Sequence, residues 1–157
     1  MTTAEKTGPE ALLEIVKDIY ENRIPFDRLL GMKVDLLTWD QAVVRFEMKP
    51  ELVGNYVTGS LHGGVISAVL DALGGMTAST GVVRRMAARP VEEIGEALTR
   101  MGTIDLRIDY LRPGRGDRFT ATGTIMRTGK KVAVTRTELH NEDGVLIAVG
   151  TGTYLVG

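Results

Sequence analysis

The segment 55–75 of this 157-residue chain holds the residues best suited to chemistry. Gly63 and Gly64 follow His62 and suit a tight turn into a helix N-terminus, where free backbone N–H groups point outward and favour negative charge. Asp71 interrupts the apolar run that follows, and a carboxylate in such a run is costly unless it has a task. A helix end that stabilises an anion and a half-buried carboxylate are the parts of a hydrolytic site.

Apolar periodicity predicts the elements that position these residues. The apolar positions between His62 and about Thr80 cover a wide helical face, and a helix this apolar should be wrapped by a sheet. Helical spacing also predicts a helix from Pro9 to about 22–25, and another helical segment over 84–99. Strands are predicted at 32–39, 42–48, 102–111, 118–127, 132–141 and 145–155. Short turns between the last four predict antiparallel hairpins, so we expect an α+β fold, one curved antiparallel sheet around a long central helix.

Composition limits the classes of function. The length suits one domain with a real core, and a formal net charge of -1 gives no drive toward nucleic acid. The absence of cysteine excludes thiol catalysis and zinc–thiolate sites, and only two histidines argue against a multi-histidine metal site. No apolar run approaches the roughly 20 residues of a membrane span, and no signal peptide is visible. We therefore expect a cytoplasmic protein with no membrane partner.

Three motifs follow one another in a recognisable order. Leu61-His62-Gly63-Gly64 precedes Asp71, the segment 103–114 is a strand ending in Tyr-Leu-Arg-Pro, and 127–134 is a hairpin with glycine and basic residues at its turn. Together they resemble the hot-dog fold and, within it, the PaaI-like acyl-CoA thioesterases of the 4-hydroxybenzoyl-CoA thioesterase superfamily. The resemblance implies an N-terminal helical extension over 1–25 and a hot-dog thioesterase domain over 26–157. It also implies hydrolysis of an acyl-CoA to a free acid and coenzyme A without a metal or redox cofactor.

The resemblance implies a role for each matching residue. Asp71 would be the general base or nucleophile, and the Gly63 N–H would polarise the thioester carbonyl. His62 would shape the turn by hydrogen bonds rather than act as the base. Thr103 would hold the attacking water, and Asn55 would contact the water or the substrate carbonyl. Thr103 and Asn55 could equally be an ordinary strand residue and an ordinary loop residue.

Coenzyme A carries phosphates, which favour cationic partners. The candidate residues for binding the substrate are Gly64, Arg112, Gly129, Lys130 and Lys131. Basic residues in turns are more often simply solvated, so this group is the weaker part of the assignment.

The spacing of two site residues predicts an assembly. Gly63 and Asp71 are eight positions apart, which is about 12 Å along one helix at roughly 1.5 Å per residue. One thioester cannot touch both at hydrogen-bond distance. The simplest resolution pairs Gly63 of one chain with Asp71 of another, so we expect a homodimer, or a homotetramer built from such dimers.

Two other functions stay open at this point. A hydroxyacyl-thioester dehydratase would need a catalytic histidine, for which His62 is the candidate. A non-catalytic acyl-CoA-binding module would keep the pocket without turnover, although Asp71 favours catalysis. Acyl-chain length and the choice between coenzyme A and a carrier protein are left open.

Overall fold

The computed structural model describes residues 8–157, so the first part of the predicted N-terminal extension, residues 1–7, lies outside the described residues. The helices are α1 (Pro9–Asp18), α2 (Pro25–Leu30), α3 (Gly63–Arg85) and α4 (Val91–Thr99), with a π-helical turn at Ile19–Arg23 and a 3-10 turn at Pro50–Leu52. The strands are β1 (Lys33–Leu37), β2 (Gln41–Glu47), β3 (Val53–Asn55), β4 (Ser60–Leu61), β5 (Gly102–Tyr110), β6 (Arg118–Thr128), β7 (Val132–Asn141) and β8 (Leu146–Leu155).

Six of the strands form one antiparallel sheet in the order β1-β2-β6-β7-β8-β5, and α3 packs against β6, β7 and β8. The predicted fold, an antiparallel sheet around one long helix, is confirmed. By length and composition alone α3 could cross a membrane, but a buried core helix passes the same test, so the expectation of no membrane partner stays a prediction. In the fold, 67% of its most apolar window is buried.

Small residues on α3 allow the sheet to approach it closely. A Cβ at Gly74 would collide with the hydroxyl group of Tyr154 on β8. The larger side chains of the helix, among them Leu70 and Leu73, are fully buried and form the centre of the core. Close approach at Gly74 brings Tyr154 to the middle of α3, where Asp71 lies.

Two of the predicted element boundaries and connections are wrong. The central helix runs to Arg85 rather than Thr80, so the predicted segment 84–99 divides into the end of α3 and a separate α4. β5 and β6 do not form a hairpin, because β5 pairs with β8 at the edge of the sheet. The seven residues 111–117 can span about 23 Å when extended, more than the roughly 14 Å across three strand spacings.

The N-terminal helices belong to the same core as α3. Leu12 and Val16 of α1 are buried in one hydrophobic cluster with the residues of α3. α2 ends at Gly31, whose φ of 75° is the left-handed conformation that favours glycine. The predicted boundary between an N-terminal extension and the hot-dog domain, at residues 25 and 26, stays a prediction. The structural consequence of α2 is that it covers one side of the central helix and places Asp27 beside it.

Candidate active site

The start of α3 presents one unpaired N–H group. His62 caps the helix, and its Nδ1 accepts a hydrogen bond from the Gly64 N–H at 2.8 Å. The His62 carbonyl accepts from the N–H groups of Val65 and Ile66. Among residues 8–157, the Gly63 N–H alone has no acceptor in this first turn. A free N–H at a helix N-terminus suits an oxyanion.

Tyr110 fixes the orientation of this turn from the sheet. Its hydroxyl group donates to the Gly63 carbonyl oxygen at 3.1 Å, and its ring lies 3.4 Å from the position that a Cβ on Gly63 would occupy. The contact joins the end of β5 to the first residue of α3. Sequence reasoning placed Tyr110 in a motif but assigned it no function.

Asp71 lies in the middle of α3, and two hydroxyl groups from the sheet hold its carboxyl group. Thr103 Oγ1 donates to Asp71 Oδ1 at 2.9 Å, and the Tyr154 hydroxyl lies 3.3 Å from the same oxygen and 3.0 Å from the Asp71 carbonyl oxygen. No donor from the described part of the chain contacts Asp71 Oδ2. The carboxylate therefore has one anchored oxygen and one oxygen available to a water molecule.

Tyr154 stays a donor at every ordinary pH. Burial, followed by the charge and hydrogen bond of Asp71, raises the pKa of the Tyr154 hydroxyl. Sequence reasoning missed this residue. The alternation of β8 could have indicated that Tyr154 faces inward together with Gly150 and Gly152. That pattern does not identify Asp71 as its partner.

A cavity of about 240 Å³ adjoins Asp71 and contains a second carboxyl group. The lining residues are Tyr20, Ile24, Phe26, Asp27, Ala68, Asp71, Ala72, Gly75, Met101, Gly102, Thr103 and Tyr154. Asp27 is 3% exposed, and burial and then the charge of Asp71 raise its pKa to about 6. Sequence reasoning missed Asp27, because an acid in the first turn of a helix is ordinarily explained by the helix dipole.

A second cavity, of about 380 Å³, lies beside the start of α3. Its lining is mainly apolar and comprises Phe26, Leu29, Leu30, Lys49, Glu51, Leu52, Val53, His62, Gly64 and Val65. Phe26 lines both cavities, so α2 stands between the Asp71 pocket and the pocket at the helix start.

Asn55 is not brought to Asp71 by the contacts of this chain. The residue is exposed at the end of β3, where the turn to β4 begins. Its Oδ1 accepts from the N–H groups of Val57 and Thr58 at 3.0 and 3.1 Å. Such a side-chain turn is the ordinary loop role that the sequence left open. A catalytic role for Asn55 stays a prediction.

The predicted substrate-binding residues lie at opposite ends of α3. Arg112 donates to the Leu146 carbonyl oxygen and follows Tyr110 closely, so it lies near the Gly63 end. Gly129, Lys130 and Lys131 form the turn of the β6–β7 hairpin, and the Gly129 carbonyl accepts from Arg85 at the other end of the helix. Asp71 is 14 residues before Arg85 in α3, about 21 Å along the axis. One chain therefore does not bring Lys130 or Lys131 to Asp71.

Comparison with known proteins agrees with this architecture. The sequence profile of the thioesterase superfamily matches residues 58–148. The chain is 45% identical over 148 residues to the medium/long-chain acyl-CoA thioesterase YigI of Escherichia coli, covering 94% of this chain and 96% of YigI. A crystal structure of a Shewanella oneidensis protein related to the thioesterase superfamily aligns with a TM-score of 0.89 and 47% identity, covering 95% of this chain and 97% of that one.

The PaaI protein of Escherichia coli aligns with a TM-score of 0.75 over 96% of each chain at 19% identity, and so shares the fold. The matched profile covers more than half of the chain and includes the start of α3, Asp71 and Thr103. From the profile and the relatives together, the chain belongs to the thioesterase superfamily.

Proposed function

We propose that this chain hydrolyses acyl-CoA thioesters to a free carboxylic acid and coenzyme A, with Asp71 as the base or nucleophile. The observation that carries the proposal is the Asp71 carboxylate, anchored at Oδ1 by Thr103 and Tyr154 with Oδ2 left for a water or a substrate. The similarity to YigI, itself a medium/long-chain acyl-CoA thioesterase, supports the substrate class.

The proposed chemistry needs only groups that the chain supplies. As a base, Asp71 takes a proton from water while the water oxygen bonds to the thioester carbon. The carbonyl oxygen becomes an oxyanion, which the Gly63 N–H at the start of a partner chain's α3 stabilises in this proposal. One such donor contributes about 3–4 kcal/mol. The C–S bond then breaks, and the thiolate leaves and takes up a proton.

A shared site between two copies of the chain is part of the proposal. Gly63 and Asp71 are both on α3, eight residues apart, and about 12 Å separates them along the axis. β5 forms one edge of the sheet, so its outer side is open to a second copy, and Ile104 on this strand is 56% exposed. Open edges are commonly covered by pairing, and isologous dimers are the commonest assemblies. A dimer with Gly63 of one chain facing Asp71 of its partner satisfies both observations.

The apolar cavity beside the helix start is proposed to hold the acyl chain. It adjoins His62 and Gly64, next to the proposed oxyanion donor, and Leu29, Leu52 and Val65 contribute apolar walls. Such an apolar wall favours a medium or long alkyl chain over a short one, because each methylene that the ligand buries adds about 0.8 kcal/mol. The name of YigI agrees with this preference.

The proposal is tested by free-thiol release from a panel of short, medium, long and aryl acyl-CoAs. Asp71→Asn is compared with wild type, and Asp143→Asn, at an exposed acid in the β7–β8 turn, is the matched control. Turnover lost in Asp71→Asn and kept in the control supports the proposal. Equal rates in all three proteins would remove Asp71 from the mechanism.

The same panel separates the two other functions. Acyl-CoAs that raise the melting temperature without any release of thiol would indicate a binding module. A hydroxyacyl-CoA added to the panel tests the dehydratase: its loss without thiol release would indicate that function, although His62 Nδ1 already accepts from the Gly64 N–H.

A further inference from the structure

The carboxyl group of Asp27 is the group in the Asp71 pocket that the proposed mechanism does not use. Its Oδ2 is buried and has no hydrogen-bond partner among residues 8–157. A carboxylate in such a place loses its water without gaining a donor, which destabilises the folded state. A residue needed only for packing would be more stable here as an amide or an apolar side chain. The cost points to a task for the charge.

Every titratable group that faces Asp27 in this pocket is an acid or a phenol. Asp71 comes from α3, Tyr154 from β8, and Tyr20 from the π-helical turn after α1. No lysine, arginine or histidine of the described chain lines the pocket. Asp27 and Asp71 are therefore two carboxyl groups in one small cavity without a cation between them, the arrangement in which like charges disfavour each other.

The pKa of Asp27 lies near neutral pH. Burial, and then the charge of Asp71, raises the pKa of Asp27 to about 6. Burial and then the charge of Asp27 raise the pKa of the Tyr20 hydroxyl, so Tyr20 stays neutral beside it. Asp27 thus gains its negative charge just below neutral pH, in the pocket of the proposed base.

We propose that Asp27 is a positioning residue for the hydrolysis, which as an anion beside Asp71 strengthens Asp71 as the acceptor of the proton from the attacking water. This inference rests on the proposed function. When the water oxygen bonds to the thioester carbon, its proton passes to Asp71, and the repulsion between the two carboxylates is relieved in the same step. An interaction that is unfavourable in the ground state and relieved in the transition state raises kcat. Asp27 itself forms and breaks no bond.

The test compares wild type with Asp27→Asn, which removes the charge at nearly constant volume. kcat and KM for one turned-over acyl-CoA are measured from pH 5 to pH 8.5, with Asp143→Asn as the control. Wild-type kcat should rise as the pH passes through about 6, where Asp27 ionises. In Asp27→Asn this rise should be lost and kcat at pH 7.5 should fall by about tenfold or more, with KM within about twofold.

Stability separates this role from a structural one. At pH 7.5 the melting temperature of Asp27→Asn should equal or exceed that of wild type, because a buried charge has been removed. The inference would be overturned if kcat of Asp27→Asn showed the same values and the same pH dependence as kcat of wild type. A lower kcat with an unchanged profile shape and a lower melting temperature would overturn it as well, since that pattern describes damage to packing. If wild type itself releases no thiol from any acyl-CoA, the proposed function fails and this role fails with it.

A double-mutant cycle tests the coupling without any turnover. Asp27→Asn at pH 8 should raise the melting temperature less in an Asp71→Asn background than in wild type, because the repelling charge of Asp71 is already absent. The same change in both backgrounds would show that the two carboxyl groups do not interact, and would overturn the inference even if the enzyme is active.

Discussion

Thr103 Oγ1 lies 2.9 Å from Asp71 Oδ1, and this hydrogen bond joins the edge strand of the sheet to the middle of the central helix. The resemblance implied that Thr103 holds the attacking water, whereas in this chain its proton is used on Asp71 itself. A hydroxyl group that donates one hydrogen bond can still accept another from a water molecule. In the proposed mechanism, Thr103 orients the carboxylate and also accepts a hydrogen bond from the attacking water.

Thr103→Val should lower kcat, because it removes the hydroxyl group while keeping a β-branched side chain on β5. A hydrogen bond to a charged group contributes about 1.5–3 kcal/mol, so we expect a loss of about tenfold to 100-fold. Thr103→Ser keeps the donor and should retain most of the activity. Steady-state thiol release measures all three proteins, and equal losses in the two variants would show that the hydroxyl group is irrelevant.

Tyr154→Phe should destabilise the fold as well as the site. The hydroxyl group contacts both the carbonyl oxygen and the carboxylate of Asp71 from a side chain that is 2% exposed. Its loss should reduce the free energy of unfolding by about 1–3 kcal/mol, measured by urea denaturation. Tyr56→Phe is the control, because Tyr56 is 92% exposed. An unchanged free energy of unfolding in Tyr154→Phe would mean that water replaces the hydroxyl group without cost.

Gly74→Ala should reduce both stability and activity. The new Cβ would collide with the Tyr154 hydroxyl and push it away from Asp71. Overpacking of this kind costs about 1–3 kcal/mol. The matched control is Gly95→Ala in α4, where a Cβ meets nothing within 4 Å, and where we expect a gain of about 0.5–1 kcal/mol from helix propensity. Similar effects at the two glycines, measured by thermal unfolding, would contradict the close packing of α3 on β8.

Asp27 should lower the stability of the wild type as the pH rises. Its pKa is about 6 in the folded chain and near 3.9 when unfolded. Below about pH 4 both states are protonated, so there is no penalty. Between about pH 4 and 6 the unfolded state loses this proton while the folded state keeps it, so the free energy of unfolding falls as the pH rises. Above about 6 the full penalty, up to about 3 kcal/mol, is present.

Urea denaturation of wild type and Asp27→Asn at pH 4 and pH 7.5 measures this penalty. The difference in unfolding free energy should move in favour of Asp27→Asn by up to about 3 kcal/mol at the higher pH. The same difference at both pH values would show that Asp27 titrates normally in the folded chain.

Local patterns predicted those parts of the site that depend on neighbouring residues. The glycine pair after His62 predicted the helix start, and a single acid in an apolar helix pointed to Asp71. The partners of Asp71 come from far along the chain, since Tyr154 is 83 positions away, and no local spacing encodes that contact. Asp27 was hidden because its burial depends on how α2 packs on α3, which its own sequence does not reveal.

The connection between β5 and β6 shows where turn rules fail. Pro113 and Gly114 indicate a turn, and a turn between two strands normally predicts a hairpin. Instead the segment crosses the end of the sheet, and the Leu61 N–H donates to the Gly114 carbonyl oxygen as it passes the start of α3. Strand order depends on how all the strands of the sheet pair, so the length of one loop does not decide it.

The central claim, a site shared between Gly63 of one chain and Asp71 of its partner, is tested most directly with mixed subunits. Gly63→Pro removes the free N–H, and proline is tolerated at the first position of a helix. His62 already has the extended ψ of 137° that a following proline requires. Gly63→Ala adds a Cβ but keeps the N–H, so it is the matched control and should stay active.

The measurement is thiol release from Asp71→Asn and Gly63→Pro chains produced separately and then together under two affinity tags. Each variant alone should be nearly inactive. A random mixture should regain about a quarter of wild-type activity, because half of the dimers then carry one intact site out of two. No recovery in mixed dimers that are shown to form would contradict the shared site and place the whole reaction within one chain.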